Sequence, residues 1–229
     1  MRRIGAAVIA AAVIMTFSGC KSNEGTASSD SEESETTISV STNNTSSASG
    51  QIRDIPSSEL IKEIKVGWCL GNTLDAHDPE AGHQDVTSET CWGNPVTTKE
   101  MMTAVKNAGF NIVRIPVTWG NHMDESVIVD EEWMDRVQEV VDYAYSQDMF
   151  VIINIHHEDW HDTYYDNADA STEKLKTLWT QIGNRFEDYD EHLIFEGLNE
   201  PRKRNTPQEW NGGDKEGHDV VNQYNAAFV

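Results

Sequence analysis

Residues that could do chemistry lie at the ends of four apolar segments. They are Asn72, Arg114, the pair His156 and His157, and the pair Asn199 and Glu200. A carboxylic acid such as Glu200 can act as a general acid when burial raises its pKa toward neutrality. Asn199 beside it could hold a sugar hydroxyl, a contact that strengthens in an oxocarbenium-like transition state. The alternative is a strand end at which Glu200 only pairs with Arg202.

Arg114 lies inside an apolar segment, where an unpaired charge is costly. It could keep a carboxylate nucleophile ionised, or it could form an internal salt bridge. His156 could orient a neighbouring site residue or contact a sugar, with His157 at the edge of the substrate; the alternative for each is a buried histidine with satisfied hydrogen bonds. We expect the two adjacent side chains to alternate in direction, as neighbours on a strand do.

One motif points to different chemistry. Residues His157 to His161 match the zinc-protease pattern H-E-x-x-H, which binds metal only when it lies on a helix. Here it follows an apolar segment typical of a strand, and residues 163–167 are typical of a loop. We therefore predict that the match is coincidental and that the protein uses no metal and no cofactor.

Aromatic residues accompany the same segment ends. The tryptophans at or after these ends are Trp68, Trp92, Trp119 and Trp160. Such rings stack on sugars, so Trp92 and Trp160 are candidate substrate-binding residues, with loop packing as the alternative. Trp133 and Trp179 occur at helical spacing and are predicted to be core residues.

The four apolar segments are predicted strands that alternate with helices. The strands cover residues 65–70, 111–116, 150–156 and 193–199, and the helices cover 98–108, 130–147, 172–187 and a stretch from near Gly217. Apolar strands of this kind favour a parallel sheet covered by helices. No glycine-rich turn of the Rossmann type follows the first strand, whereas polar groups at one end of every strand suit a barrel rim. We predict an α/β fold of the (β/α)8 TIM barrel class, with about the first four βα units present.

Residues 1–51 are predicted to be a signal peptide followed by a disordered linker, which we call the tether. Residues 1–19 resemble a lipoprotein-type signal peptide, with Cys20 as the lipidated residue; the alternative is plain secretion with Cys20 removed. Residues 20–51 are rich in Ser, Thr and Glu, which is typical of disordered linkers, and residues 52–229 form the predicted catalytic domain. We expect secretion to a bacterial cell surface, with the membrane contacted only through lipid on Cys20.

The composition indicates which classes of molecule the protein can bind. The 229 residues carry 39 acidic and 17 basic side chains, a formal net charge of −22. Nucleic acid binding depends on Lys and Arg, so it is disfavoured, and an acidic surface suits an uncharged substrate. We expect the complete protein to be a monomer. Cys69 and Cys91 could form a disulfide or remain free thiols.

Five motifs together resemble glycoside hydrolase family 5, in its bacterial endo-β-1,4-glucanase (cellulase) branch. They are GNTLDA at 71–76, ETCWGNP at 89–95, VRIPVTW at 113–119, NIHH at 154–157 and LNEP at 198–201. The resemblance implies a retaining endo-β-1,4-glucanase that hydrolyses cellulose or a related β-glucan, with Glu200 as general acid/base. It also implies that Asn199 is a catalytic residue beside Glu200, that Arg114 and His156 support the catalytic carboxylates, and that Asn72, His157 and Trp92 line the subsites.

The sequence departs from this family at its end. The family's nucleophile lies on the seventh strand, whereas this sequence stops in the predicted fourth helix, so we expect a truncated chain with little or no hydrolysis. Glu196 precedes Glu200 on the same strand but is expected to lie deeper in the barrel, and it is not a candidate nucleophile. The alternatives are a xyloglucanase, lichenase or mannanase on the same scaffold, or a non-catalytic lipoprotein that binds polysaccharide.

Overall fold

The computed structural model describes residues 52–78 and 80–229. The predicted signal peptide, the lipidation site at Cys20 and the tether at 20–51 lie outside these residues. Within the described part of the chain, no helix is long and apolar enough to cross a membrane.

Four parallel strands form one sheet. They are β1 (Gly67–Cys69), β2 (Ile112–Ile115), β3 (Phe150–Asn154) and β4 (Leu193–Glu196), in the spatial order β1-β2-β3-β4. Every neighbouring pair is parallel, which confirms the predicted sheet. Each strand is shorter than predicted, although backbone hydrogen bonds continue beyond the ends of β3 and β4 at Asn154 and Glu196. There the hydrogen bonds run from His156 N to Val117 O and from Asn199 N to Ile155 O, both at 2.8 Å.

Helices connect the strands. They are α1 (Ser57–Leu60), α2 (Lys99–Asn107), α3 (Glu131–Tyr145), α4 (Tyr165–Arg185) and α5 (Lys215–Phe228), with short 3-10 helices at Val86–Thr90 and Gly120–His122. Helix α2 begins at Lys99, one residue after the predicted start, and the Thr98 hydroxyl accepts the Met101 N–H. This is the N-cap contact that a threonine supplies.

Helix α4 starts earlier than predicted. The sequence placed its start near Thr172 and a loop at 163–167, and this boundary is wrong because the helix begins at Tyr165. The Tyr165 N–H is one of the donors that a first turn leaves unpaired, and it donates to Glu216 Oε1 at 2.7 Å. Because Glu216 belongs to α5, this stabilising contact is tertiary and leaves no local signal.

The core lies between the sheet and the apolar faces of the helices. Its strand residues are Val113, Ile115, Val151 and Ile153, all fully buried. The apolar face of α3 is buried, and the predicted core residues Trp133 and Trp179 are only 1% and 8% exposed. These positions confirm the helical spacing that assigned both tryptophans to the core. The sheet is therefore packed against the helices, and polar residues follow the carboxyl ends of its strands.

Packing of α4 can be tested with two adjacent residues. Leu175 is fully buried and Lys176 is exposed. We expect Leu175→Ala to lower the free energy of unfolding by about 2–5 kcal/mol, since it leaves a cavity in the core. The matched variant Lys176→Ala breaks only an exposed pair with Glu173 and should change the free energy by no more than about 1 kcal/mol. Urea unfolding followed by tryptophan fluorescence measures both; similar losses would contradict the assigned helix face.

Candidate active site

Arg114, Glu196 and Asn199 form a network at the carboxyl ends of β2 and β4. Arg114 donates from Nε and Nη2 to the two Glu196 carboxylate oxygens, at 2.7 and 2.6 Å. Its Nη2 also donates to Asn199 Oδ1 at 3.0 Å. The structure thus brings Arg114 and Asn199 together, and the carboxylate that Arg114 holds is Glu196. Sequence reasoning set Glu196 aside, although a glutamate ending an apolar strand was a signal that could have found it.

The ion pair between Arg114 and Glu196 stabilises the charged form of both side chains. Burial by itself raises the pKa of Glu196, but the hydrogen bonds from Arg114 and Asn154 outweigh it and keep that pKa below its usual value. The hydrogen bond to Glu196 raises the pKa of the Arg114 guanidinium. The pair therefore stays ionised, and Glu196 holds the guanidinium where it contacts Asn199.

Removing the Glu196 charge should destabilise the fold. Gln keeps the shape but replaces one acceptor oxygen by a donor that faces the guanidinium. We expect Glu196→Gln to lower the free energy of unfolding by about 1.5–3 kcal/mol. Glu173→Gln, which breaks an exposed pair with Lys176 on α4, should cost no more than about 1 kcal/mol. Equal urea midpoints for the two variants would contradict a structural role for the Arg114–Glu196 pair.

His156 and His157 both face Asp75. Their Nε2 atoms lie 3.9 and 3.7 Å from Asp75 Oδ2. The expectation that the two side chains alternate in direction is wrong, because β3 ends at Asn154 and strand alternation no longer applies. Desolvation, the nearby His157 and Arg114 lower the pKa of His156 to about 4, although Asp75 opposes this, so the ring is neutral at neutral pH.

Asp75 is the buried anchor of this histidine pair. Burial raises the pKa of Asp75. Hydrogen bonds from His157 and from the backbone N–H groups of Thr73 and Asn72 lower it by more, so the net pKa is below the usual value. The Thr73 N–H donates at 2.8 Å. Asn72 has left-handed backbone, at φ 61°, and an exposed side chain. Asp75 was missed as a site residue although it lies within the motif at 71–76.

An aromatic cluster lies beside the histidines. The Trp92 ring centroid is 5.4 Å from that of His77 and 5.5 Å from that of His157. The Trp92 indole N–H donates to His77 O at 2.8 Å, while the side chain stays 43% exposed. Two predicted substrate-binding residues, Trp92 and His157, are therefore neighbours on an exposed surface. His77 completes the cluster and was not predicted.

Glu158 joins the loops that follow β2 and β3. Its buried carboxylate accepts the N–H groups of Trp119 and Gly120, at 2.7 and 3.1 Å, and the Trp160 indole N–H at 2.7 Å. A Cβ at position 120 would lie 2.6 Å from Glu158 Oε2, so any larger residue there would displace this carboxylate from its hydrogen bonds. Trp160 is half-buried, with the Lys174 ammonium 5.3 Å from its ring centroid. Its ring and its N–H are thus engaged in packing within this chain.

The H-E-x-x-H match does not lie on a helix. Residues 157–161 form an irregular loop, as predicted from the preceding strand. His161 is buried, and desolvation and the nearby Arg204 lower its pKa to about 4. A helix would place the two histidines on one face, and without one the zinc-protease geometry is not formed.

A cleft of about 380 Å³ lies over the same ends of the strands. It is lined by His77, Gly120, Asn121, His156, His157, Glu158, Asp159, His161, Lys174, Asn199, Arg202 and Arg204. The predicted residues His156, His157 and Asn199 therefore share one concave surface. Its lining is polar and rich in hydrogen-bond donors, which suits a hydroxyl-rich ligand.

Glu200 follows β4 with left-handed backbone, at φ 47°. Its side chain is 55% exposed, and its carboxylate accepts from Arg202 Nη1 at 3.3 Å. Among the described residues, the Glu200 carboxylate has no hydrogen bond to Arg114 or His156. The structure thus contains the pairing of Glu200 with Arg202 that the sequence left open as an alternative. The preceding residue, Asn199, is held by Arg114.

The two cysteines of the site region are free thiols. Cys69 and Cys91 are both exposed, and no disulfide joins them. Cys69 Sγ lies 4.0 Å from Arg114 Nη1. Of the two alternatives that the sequence allowed, the structure has the unbridged one.

Comparison with known proteins identifies the family. The sequence model of the cellulase family (glycosyl hydrolase family 5) matches residues 74–229, so the chain belongs to that family. The parallel sheet and helices are four of the βα units of its (β/α)8 barrel. Endoglucanase A of Clostridium longisporum is 54% identical over 175 residues, which are 75% of this chain and 34% of that protein.

Two solved structures extend the likeness. A broad-specificity endoglucanase from Ruminococcus champanellensis with bound cellotriose is 49% identical, at a TM-score of 0.76, over 78% of this chain and 53% of that one. A xyloglucan-specific endo-β-1,4-glucanase from a metagenomic library, in complex with cellotriose, is 43% identical, at a TM-score of 0.72, over 75% and 51%. The chain thus spans a third to about half of the length of these relatives.

Proposed function

We propose that this chain carries the acid/base part of a retaining endo-β-1,4-glucanase that acts on cellulose or a related β-glucan. The observation that carries the proposal is the Arg114–Glu196–Asn199 network, which fixes the residue next to Glu200 at the carboxyl ends of a parallel sheet. Catalytic groups of barrel enzymes lie at this face. Endoglucanase is also the activity that names the relatives.

In the proposed reaction, Glu200 donates a proton to the glycosidic oxygen as the bond breaks. It must therefore exchange its contact with Arg202 for one with the substrate. A retaining mechanism needs a second carboxylate about 5–5.5 Å away as nucleophile, and Glu200 then takes a proton from the attacking water. The family resemblance assigns that nucleophile to the seventh strand. In this proposal Asn199, which accepts a hydrogen bond from Arg114, hydrogen bonds the sugar beside the broken bond.

Substrate binding is assigned to the cleft and to the aromatic cluster of Trp92, His77 and His157. An exposed aromatic face stacks on a pyranose ring, and the polar cleft supplies donors for hydroxyl groups. The net charge of −22 suits a neutral glycan. Xyloglucan is the second candidate substrate, since a relative at 43% identity is specific for it.

The proposal is tested by release of reducing sugar from cellulose, mixed-linkage glucan, xyloglucan and mannan. The 229-residue chain is compared with a protein in which residues 52–229 are joined to the remaining part of a family 5 relative. We expect hydrolysis of a β-1,4-glucan by the joined protein and little or none by the shorter chain. A joined protein that is folded and binds cellotriose yet cleaves none of the four would favour a polysaccharide-binding role.

For the N-terminal residues, we propose secretion and lipid attachment at Cys20. The support is the sequence pattern, a basic start, an apolar run and small residues before the cysteine. In a bacterial host, labelled fatty acid should be incorporated by the wild type and not by Cys20→Ala. Equal labelling of the two proteins would refute the attachment site.

A further inference from the structure

Asn154 is a buried polar residue that the proposed mechanism does not use. It ends strand β3 and is fully buried. Its side chain contacts a backbone group of the β2–α3 connection, a carboxylate of β4 and the ring of His156. The Trp119 indole N–H also donates to its backbone carbonyl at 2.9 Å. Asn154 therefore links three consecutive strands and contacts His156, which lines the cleft.

The orientation of the Asn154 amide is fixed by these partners. The backbone N–H of Val117 can only donate, so its partner at 3.1 Å must be the amide oxygen. The amide nitrogen then faces Glu196 Oε1 and His156 Nδ1, each at 3.1 Å. Glu196 is paired with Arg114 and can only accept, which requires the same orientation.

The amide orientation selects the tautomer of His156. An amide nitrogen donates, so His156 Nδ1 must carry the lone pair. In a neutral imidazole the proton then lies on Nε2. This nitrogen faces the Asp75 carboxylate at 3.9 Å, and His156 lines the cleft.

We propose that Asn154 is a positioning residue that holds His156 in its Nε2–H tautomer, so that this cleft-lining ring presents a hydrogen-bond donor on the side where Asp75 lies. The partner of such a donor is an oxygen, and its assignment to a sugar hydroxyl rests on the proposed function. The ring acts on the ligand, and Asn154 acts only through the ring.

This tautomer also distinguishes two ligand classes. By distance alone, Asp75, His156 and His157 could hold a cation, because one ligand atom from each lies within 4.8 Å of the others. A metal binds the unprotonated nitrogen of a neutral imidazole. With its proton on Nε2, His156 favours an oxygen acceptor over a divalent cation at this position.

The tautomer can be measured directly in the full 229-residue chain. With ¹⁵N-labelled histidine at pH 7, long-range ¹H–¹⁵N correlation spectra separate protonated from unprotonated ring nitrogens, and His156→Gln identifies the signals of His156. We expect a protonated Nε2 and an unprotonated Nδ1. A protonated Nδ1 in the wild type would overturn the proposal without any variant of Asn154.

Asn154→Asp tests the cause. The new side chain keeps an acceptor for Val117 N–H and replaces the donor to His156 by an oxygen, so Nδ1 should become protonated. Glu196→Gln is the matched control, since it alters the other partner of the same amide and should leave the His156 tautomer unchanged. If Asn154→Asp is folded and His156 keeps its tautomer, the proposal is wrong; if that variant does not fold, the wild-type spectrum and the control decide.

These spectra are recorded without substrate. Failure of the glycan panel would leave an observed Nε2–H tautomer intact, and an Nδ1–H tautomer would leave glycan hydrolysis possible. The two proposals therefore fail separately.

Discussion

Replacing Glu200 with glutamine is expected to lower kcat on β-1,4-glucan by about 10²–10⁴-fold in the protein joined to the remaining part of a relative. Glutamine has nearly the same shape as glutamate but has no acidic proton to give to the glycosidic oxygen. Binding of cellotriose should change little, because the cleft residues and the aromatic cluster remain in place. Steady-state rates and a titration by tryptophan fluorescence measure the two effects.

Glu209 offers a matched control. Arg202 pairs with both Glu200 and Glu209, at 3.3 and 2.9 Å. If the effect of Glu200→Gln came from the disturbed arginine, Glu209→Gln should reduce kcat as much. We expect Glu209→Gln to retain turnover within a factor of about three, since it removes the same kind of contact without the proposed acid. Equal losses would assign Glu200 a structural role.

Acid should destabilise the folded chain between pH 6.5 and about 4, where its least accessible histidines resist protonation. Three histidines, the buried His122 and His161 and the half-buried His156, have their pKa lowered to about 4 from an ordinary value of 6.5. Desolvation is the main cause for each. Buried imidazoles resist protonation because the protein interior replaces the water that would solvate the charge.

The sign follows from proton binding. Between pH 6.5 and about 4 the unfolded chain protonates these histidines while the folded chain does not. The contribution to stability is therefore complete above pH 6.5 and is lost as the pH falls toward 4. Each histidine removes up to about 1.4 kcal/mol per pH unit within that window. Glu158 opposes this, because burial raises its pKa and its ionised form is disfavoured as the pH rises.

Urea unfolding at intervals from pH 7 to pH 4.5 measures this dependence. His122 is the residue to replace, since it stacks on Trp133 at a centroid distance of 3.6 Å, and its ring nitrogens meet Ser88 Oγ and Gln84 O. Although His122→Gln will itself cost stability, it should reduce the slope of stability against pH by up to about 1.4 kcal/mol per pH unit. An unchanged slope would show that His122 does not contribute to the acid sensitivity.

The strands and their common edge could be located from the sequence. Apolar runs near Val113 and Val151 are long enough to be strands and lack the alternation of a half-exposed sheet, so they predicted burial on both faces. The carboxyl ends of parallel strands meet at one edge, which is why residue order alone was enough to group Arg114, His156 and Asn199. The start of α4 could not be predicted, since Glu216 stabilises it across 51 residues.

What the sequence by itself determined is that Arg114 needs an anionic partner and that its neighbours at the strand ends are polar. Only the tertiary structure decided which groups meet. Arg114 pairs with Glu196, which lies 82 positions later in the sequence, and both His156 and His157 lie beside Asp75. The left-handed backbone at Glu200 likewise directs its carboxylate to Arg202. The physical reason is that residue type fixes which charges and hydrogen bonds must be satisfied, whereas the choice of partner depends on strand register and on where each strand ends.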